Sequence, residues 1–210
     1  MHTSCCARYK IGSHRFSPTG KYPLSRKITV DTAAFLCYNG SRKAVISMKT
    51  AYFAGGCFWC ITPTFREREG VENVISGYSG GREENPAYED VKYQRTGHRE
   101  TIRIDYDPEK VTFRQLFELF LDGVDPFDEG GQFIDRGHSY TLAVYYLTEA
   151  ERSVAEDGIR ALEAQSGQKV FISVEPFRSF YSAEEEHQDY YRKHPEEFRQ
   201  ELIDSGRIKG

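Results

Sequence analysis

Apolar and polar positions along this chain fall into short alternating runs, helical stripes and turn clusters, and these predict most of its elements. Lys49–Ala54 (KTAYFA) reads as a strand that Gly55-Gly56 breaks, and Phe58–Arg68 continues with helical spacing. Val71–Tyr78 alternates as a strand. Arg99–Tyr106 alternates more cleanly, with Ile102, Ile104 and Tyr106 on one face and Thr101, Arg103 and Asp105 on the other. Pro108 closes that strand, and Thr112 is placed as the N-cap of a helix running to Leu121, with Phe113, Leu116, Phe117 and Phe120 on its apolar stripe. Thr141–Leu147 is a strand, Thr148 opens a helix to about Gln165 that Gly167 ends, and Val170–Val174 is a further strand. Ala183–Lys193 and Glu196–Ile203 read as helices separated by Pro195. The stretches 79–98 and 122–140 read as loops longer than compact domains normally carry, which marks them as functional.

This order, β-α-β-β-α-β followed by α-β and a helical tail, predicts an α/β (α+β) fold. The expected architecture is a two-layer sandwich with a ferredoxin-like β-α-β-β-α-β core, additional helices and a helical C-terminal tail. A single catalytic domain is expected over residues 48–210.

Charge separates the two ends of the chain. Residues 1–47 carry eight Lys or Arg against one acid, Asp31, whereas the remainder carries 20 basic and 31 acidic side chains. The acidic body argues against a nucleic-acid binder, which needs a basic face for phosphate. No apolar run reaches the length of about 18 residues that a membrane span needs. Residues 1–47 form a basic N-terminal extension, read as disordered. Asp31 interrupts its best apolar stretch, so a secretory signal is poorly supported, and a targeting segment or a start of the folded protein at Met48 are the readings left. Three of the five cysteines (Cys5, Cys6, Cys37) lie in that extension, and Cys57 and Cys60 in the body. This count does not describe a secreted disulfide framework, and a lone C-x-x-C points to redox work in a reducing, cytoplasmic setting.

Gly55-Gly56-Cys57-Phe58-Trp59-Cys60 closes a strand and opens a helix. Cys57 therefore sits where free N–H groups and the helix dipole favour an anion, and its thiol is expected to be more acidic than a free cysteine. Cys60 follows one turn on. Three other readings of the motif stand beside this one: a pair of buried structural cysteines, a zinc half-site, and the active turn of a thioredoxin-type dithiol-disulfide oxidoreductase. Zinc would need two further ligands, for which the body offers no third cysteine and only scattered histidines, so no metal is expected. The aromatic-rich surface also allows a non-catalytic peptide-binding module.

Five blocks in one order resemble the peptide methionine sulfoxide reductase family, type A. They are Gly56-Cys57-Phe58-Trp59 followed by Cys60; Gly77-Tyr78-Ser79-Gly80-Gly81; Asn85-Pro86-Ala87-Tyr88 with Thr96-Gly97-His98-Arg99-Glu100; Asp135-Arg136-Gly137-His138-Ser139-Tyr140; and Glu186-His187-Gln188-Asp189-Tyr190. The resemblance implies thiol-dependent reduction of methionine S-sulfoxide, protein-bound and free, in the repair of oxidised proteins. It assigns Cys57 as nucleophile, Glu100 as the acid, and Tyr88 and Tyr140 as hydrogen-bond donors to the substrate oxygen. Phe58 and Trp59 become walls of a methyl pocket, and Asp135 and Tyr190 substrate-binding groups. His187 is read as structural. The resemblance further implies that the sulfenic acid on Cys57 is resolved as a Cys57–Cys60 disulfide. An external dithiol, thioredoxin, then reduces it. No bound cofactor is expected, and the protein is expected to act as a monomer. Thr62, Ile134 and Thr141 depart from the residues common in the family.

Overall fold

The computed structural model describes residues 47–209. The leader reading, with Cys5, Cys6 and Cys37, lies outside the described residues, and none of the described helices is long and apolar enough to cross a membrane. The elements run β1 (Lys49–Gly55), α1 (Phe58–Arg66), β2 (Val71–Ser79), α2 (Tyr88–Lys92), β3 (Arg99–Tyr106) and α3 (Phe113–Asp122). The hairpin β4 (Gly131–Gln132) and β5 (Asp135–Arg136) follows, then a 3-10 turn at His138–Tyr140, β6 (Leu142–Tyr146), α4 (Glu149–Ser166), β7 (Ile172–Pro176) and β8 (Tyr181–Ser182). A second 3-10 turn at Glu185–His187 leads into α5 (Tyr190–Lys193) and α6 (Pro195–Asp204).

Six strands form one sheet in the order β7-β6-β1-β3-β2-β8. Its four central strands pair antiparallel, and β3 is inserted between β1 and β2, which therefore run the same way. That is the split β-α-β arrangement expected from the element order. On one edge α4 carries the chain back so that β7 lies parallel to β6. On the other, β8 pairs with two residues of β2.

The helices cover one face. Ile102 and Ile104 of β3 and Phe53 of β1 meet Phe65 of α1 and Leu116, Phe117 and Phe120 of α3 in one cluster of buried side chains. Each such side chain contributes about 1.5–3 kcal/mol by leaving water. The predicted caps are present: Thr112 and Thr148 each form a capping box, with Gln115 and Glu151, and Gly167 ends α4 at φ 69°. The opposite face buries Tyr52, Ala54, Ala143 and Tyr145 under Phe177 and Phe180. This second cover explains why Thr101, on the polar side of the β3 alternation, is buried as well.

Four segments differ from the pattern-based expectation, each for a local reason. The 79–98 stretch contains α2, whose five residues are too few to show a period but plug Val91 into the core. The 122–140 stretch contains the β4–β5 hairpin, held by the buried Gln132 side chain: it donates to the Asp125 and Gly131 carbonyls and accepts from the Asp125 N–H. Strand β7 starts two residues later than Val170, because the Val170 N–H donates to the Glu163 carboxylate and the Phe171 N–H to the Pro126 carbonyl. The helix expected over Ala183–Lys193 is broken. Gln188 bonds through its side chain to both the N–H and the C=O of Ser76, and Asp189 takes φ 48°, so the stretch is split into the 3-10 turn at Glu185–His187 and the short α5.

Candidate active site

Cys57 is the last residue before α1 and is 5% exposed. The turn that delivers it depends on Gly56, at φ 78°, where an added Cβ would meet the Cβ of Gln132 at 2.6 Å. The hairpin thus packs directly on the turn. Cys57 and Cys60 are free thiols, the second half-buried, and the Cys60 N–H donates to the Cys57 carbonyl at 3.1 Å.

Glu100 stands on β3, is 2% exposed, and accepts the Phe58 N–H through Oε2 at 2.9 Å. The opening of α1 is therefore capped by a carboxyl group from the sheet, at the residue that follows Cys57. Burial raises the Glu100 pKa to about 8; the nearby Asp135 and Glu201 carboxyls push the same way, against the Phe58 N–H and the Tyr140 hydroxyl. Glu100 is largely neutral at pH 7, as the acid role requires.

The thiol differs from expectation. Its hydrogen bond with Cys60, its burial, and the carboxyls of Glu100 and Glu201 all push the Cys57 pKa well up. The helix-opening N–H that was to stabilise a thiolate is engaged with Glu100 instead. Cys57 is thus held as a neutral thiol in the free protein.

The two tyrosines lie on separate elements. Tyr88 begins α2, its N–H bound to Glu184, and Tyr140 ends the 3-10 turn before β6. Burial, then the Glu100 charge, push both phenols far up, so both keep their protons and remain donors. Phe58 and Trp59 join Tyr88, Tyr190 and His187 in an aromatic wall. Trp59 stacks on Tyr190 at 3.9 Å with rings 11° from parallel, and Tyr88 lies 4.0 Å from His187. Asp135, on β5, is half-buried, and its carboxyl is pushed up by burial against the pull of Arg207.

All nine candidate residues are therefore borne by the elements around the start of α1. Two departures from the family pattern have local partners: the Thr62 hydroxyl donates to the Phe58 carbonyl, and Thr141 accepts from the buried Arg99 guanidinium.

The sequence reading missed two groups and gave a third, His187, a structural place. Glu201, on α6, accepts the Cys57 S–H at a sulfur–oxygen distance of 3.9 Å, and no local motif flags it. Glu184 accepts from the Tyr78 hydroxyl and the Tyr88 N–H and so fixes α2. His187, read as structural, packs into the aromatic wall, and its pKa is lowered by burial against the opposing Glu184 charge, so the ring is neutral. It stands next to Gln188-Asp189-Tyr190, which was the available signal.

The sequence profile described as Peptide methionine sulfoxide reductase matches residues 49–209. Among similar proteins, Peptide methionine sulfoxide reductase MsrA of Bacillus licheniformis is 46% identical over 159 residues, covering 75% of this chain and 88% of its own length. The protein of the same name from Halalkalibacterium halodurans is 44% identical over 162 residues, covering 76% and 92%. Two solved structures share the fold. Mxr1 from Saccharomyces cerevisiae in reduced form is 28% identical with a TM-score of 0.66, over 71% of this chain and 87% of that one. Methionine sulfoxide reductase A of Corynebacterium diphtheriae is 30% identical with a TM-score of 0.65, over 70% and 76%.

Proposed function

As the chain belongs to the peptide methionine sulfoxide reductase family, we propose that it reduces methionine S-sulfoxide, free and within proteins, with Cys57 as nucleophile and Glu100 as acid. The observation that carries this reading is the buried, neutral carboxyl of Glu100 on the first N–H of α1, one residue from the sulfur. A sulfoxide sulfur becomes electrophilic when its oxygen receives a proton or strong hydrogen bonds. Glu100 supplies the proton, and Tyr88 and Tyr140 supply hydrogen bonds without ionising. Phe58 and Trp59 enclose the S-methyl group. Tyr190 holds the Trp59 ring by stacking, and Asp135 accepts from the substrate's backbone N–H.

The chemistry balances in three steps. The oxygen passes from the substrate sulfur to Cys57; the substrate gains two electrons and leaves as methionine, and Cys57 becomes a sulfenic acid. The Cys60 sulfur then attacks the Cys57 sulfur, the S–O bond breaks, and water leaves as the Cys57–Cys60 disulfide forms. An external dithiol of the thioredoxin kind returns two electrons and two protons by thiol–disulfide exchange. The reading places a monomer in the cytoplasm, where both thiols stay reduced between turnovers.

The neutral Cys57 of the free protein fits this order of events. Its proton leaves as substrate displaces the Glu201 contact and the sulfoxide oxygen takes up a proton, so the reactive anion forms only when there is something to reduce. The test is NADPH-coupled turnover of a sulfoxide peptide with thioredoxin and its reductase. Cys57→Ser is expected to form no methionine while remaining folded. Normal turnover in that variant rejects the reading. If Glu100→Gln loses methionine formation while its thiols still exchange with thioredoxin, the reductase is upheld; an unaffected Glu100→Gln points to a plain dithiol-disulfide oxidoreductase.

A further inference from the structure

The fold brings a third metal-ligating group to the thiol pair. Cys57 and Cys60 offer two sulfurs from the opening of α1, and Glu201 offers a carboxylate from α6, 144 positions from Cys57 in the chain. The three donor atoms lie within 4.8 Å of one another, and the Cys57–Glu201 pair is at 3.9 Å. In a tetrahedral zinc site, with metal–sulfur bonds of about 2.3 Å and metal–oxygen bonds of about 2.0–2.2 Å, neighbouring donors stand about 3.5 Å apart. No pair in the triad exceeds that spacing by more than about 1.3 Å. Two sulfurs and one carboxylate favour a thiophilic, borderline-soft cation over magnesium or calcium, which take oxygen ligands only.

We propose that the reduced protein binds one divalent cation of the zinc class through Cys57, Cys60 and Glu201, and that this form is catalytically silent. Three protein ligands leave one tetrahedral position for water. Binding releases the two thiol protons to solvent and changes no oxidation state. Coordination draws the charge of the Cys57 thiolate onto the metal and ties up the resolving Cys60 sulfur as well, so the metal-bound form lacks both the free nucleophile and the free resolving thiol. The Cys57–Cys60 disulfide removes both sulfur ligands, so the oxidised form does not bind. The scattered histidines and missing third cysteine counted against zinc along the sequence; the ligand comes instead from a carboxylate on the tail helix.

The test is an anaerobic titration of the reduced full chain with cadmium ion alone, followed by its thiolate-to-cadmium ultraviolet absorption and by competition with a chelator. Cys5, Cys6 and Cys37 also take up cadmium, so the reference is the Cys57→Ser, Cys60→Ser double variant, with the Cys57–Cys60 oxidised protein as a second reference. The reduced protein is expected to bind one cation more than either. Glu201→Gln, checked for folding by circular dichroism, is expected to bind at least about tenfold more weakly, the low end of what loss of even an outer-shell partner costs. Binding no different from the references, or an unchanged affinity in Glu201→Gln, overturns the site. Binding is read without turnover, so its failure is distinct from failure of the reductase reading. For the silent form, zinc is expected to stop methionine production and a chelator to restore it; full turnover of the zinc-loaded protein refutes it.

Discussion

At the scale of single residues, the site is governed by proton positions. Glu100 has its folded pKa raised to about 8, against about 4.3 for an unfolded glutamate. Between those values the folded state holds a proton that the unfolded state has released. The associated stability is full below the unfolded value and is lost as pH rises through about 8. Glu100→Gln keeps the shape and removes this titration. Its melting temperature relative to the parent protein is therefore expected to rise between about pH 4.3 and about pH 8 and to level off above that, as thermal unfolding across that range will show. The same substitution removes the proposed acid. We expect kcat to fall by about 10²-fold or more, and the alkaline limb near pH 8 to be absent from the variant's pH–rate profile. Steady-state rates on one sulfoxide peptide across pH provide the check.

At the scale of elements, the turn between β1 and α1 is the critical joint. Gly56 adopts a left-handed φ of 78° with the Gln132 side chain directly above it. Gly56→Ala adds both the left-handed cost of about 1 kcal/mol and a clash with the hairpin, for a loss of about 2 kcal/mol or more in urea unfolding. A parallel fall in activity is expected, because the same turn aims Cys57. Gln132 is the hairpin's anchor, with three hydrogen bonds to its own loop. Gln132→Ala leaves the Asp125 N–H and two carbonyls without that partner, at about 1–3 kcal/mol for a buried group left unsatisfied. Faster hydrogen exchange over 125–136 than over the sheet strands is the expected signature. Both loops that read as overlong therefore carry structure: α2 presents Tyr88, and the hairpin with its following turn presents Asp135 and Tyr140.

At the scale of the whole molecule, two distant parts of the chain meet over one sulfur. The tail helix α6 brings Glu201 to Cys57, and beyond it Arg207 lies 3.8 Å from the Phe133 ring at the hairpin tip. The proposed catalytic cycle also calls on a partner outside the chain, which gives a prediction at this scale. Cys60→Ser is expected to release one methionine per chain in a single burst and then stop under thioredoxin-driven conditions. Quantifying methionine against enzyme, with and without thioredoxin, decides it; continuous cycling removes Cys60 from the resolving role.

Local rules were enough for the features that local physics controls. Strand alternation, the Thr112 and Thr148 caps, the aromatic stripe of α3 and the strand-to-helix turn before Cys57 each depend on neighbours a few residues away, and each is legible in the chain. The split β-α-β core follows as well, because short connections leave few ways to order four such strands. What the sequence could not decide is where side chains from remote segments end up. Gln188 completes the backbone pairing of β2 with an amide, Glu100 caps a helix from a neighbouring strand, and Glu201 reaches Cys57 from the tail. The neighbouring Cys60 pushes the Cys57 pKa up first, and burial and the Glu100 and Glu201 carboxyls add to it, against the direction that a helix opening predicts. A helix dipole acts locally and can be read from the order of residues, whereas burial and the charges of distant carboxyls exist only once the chain has folded.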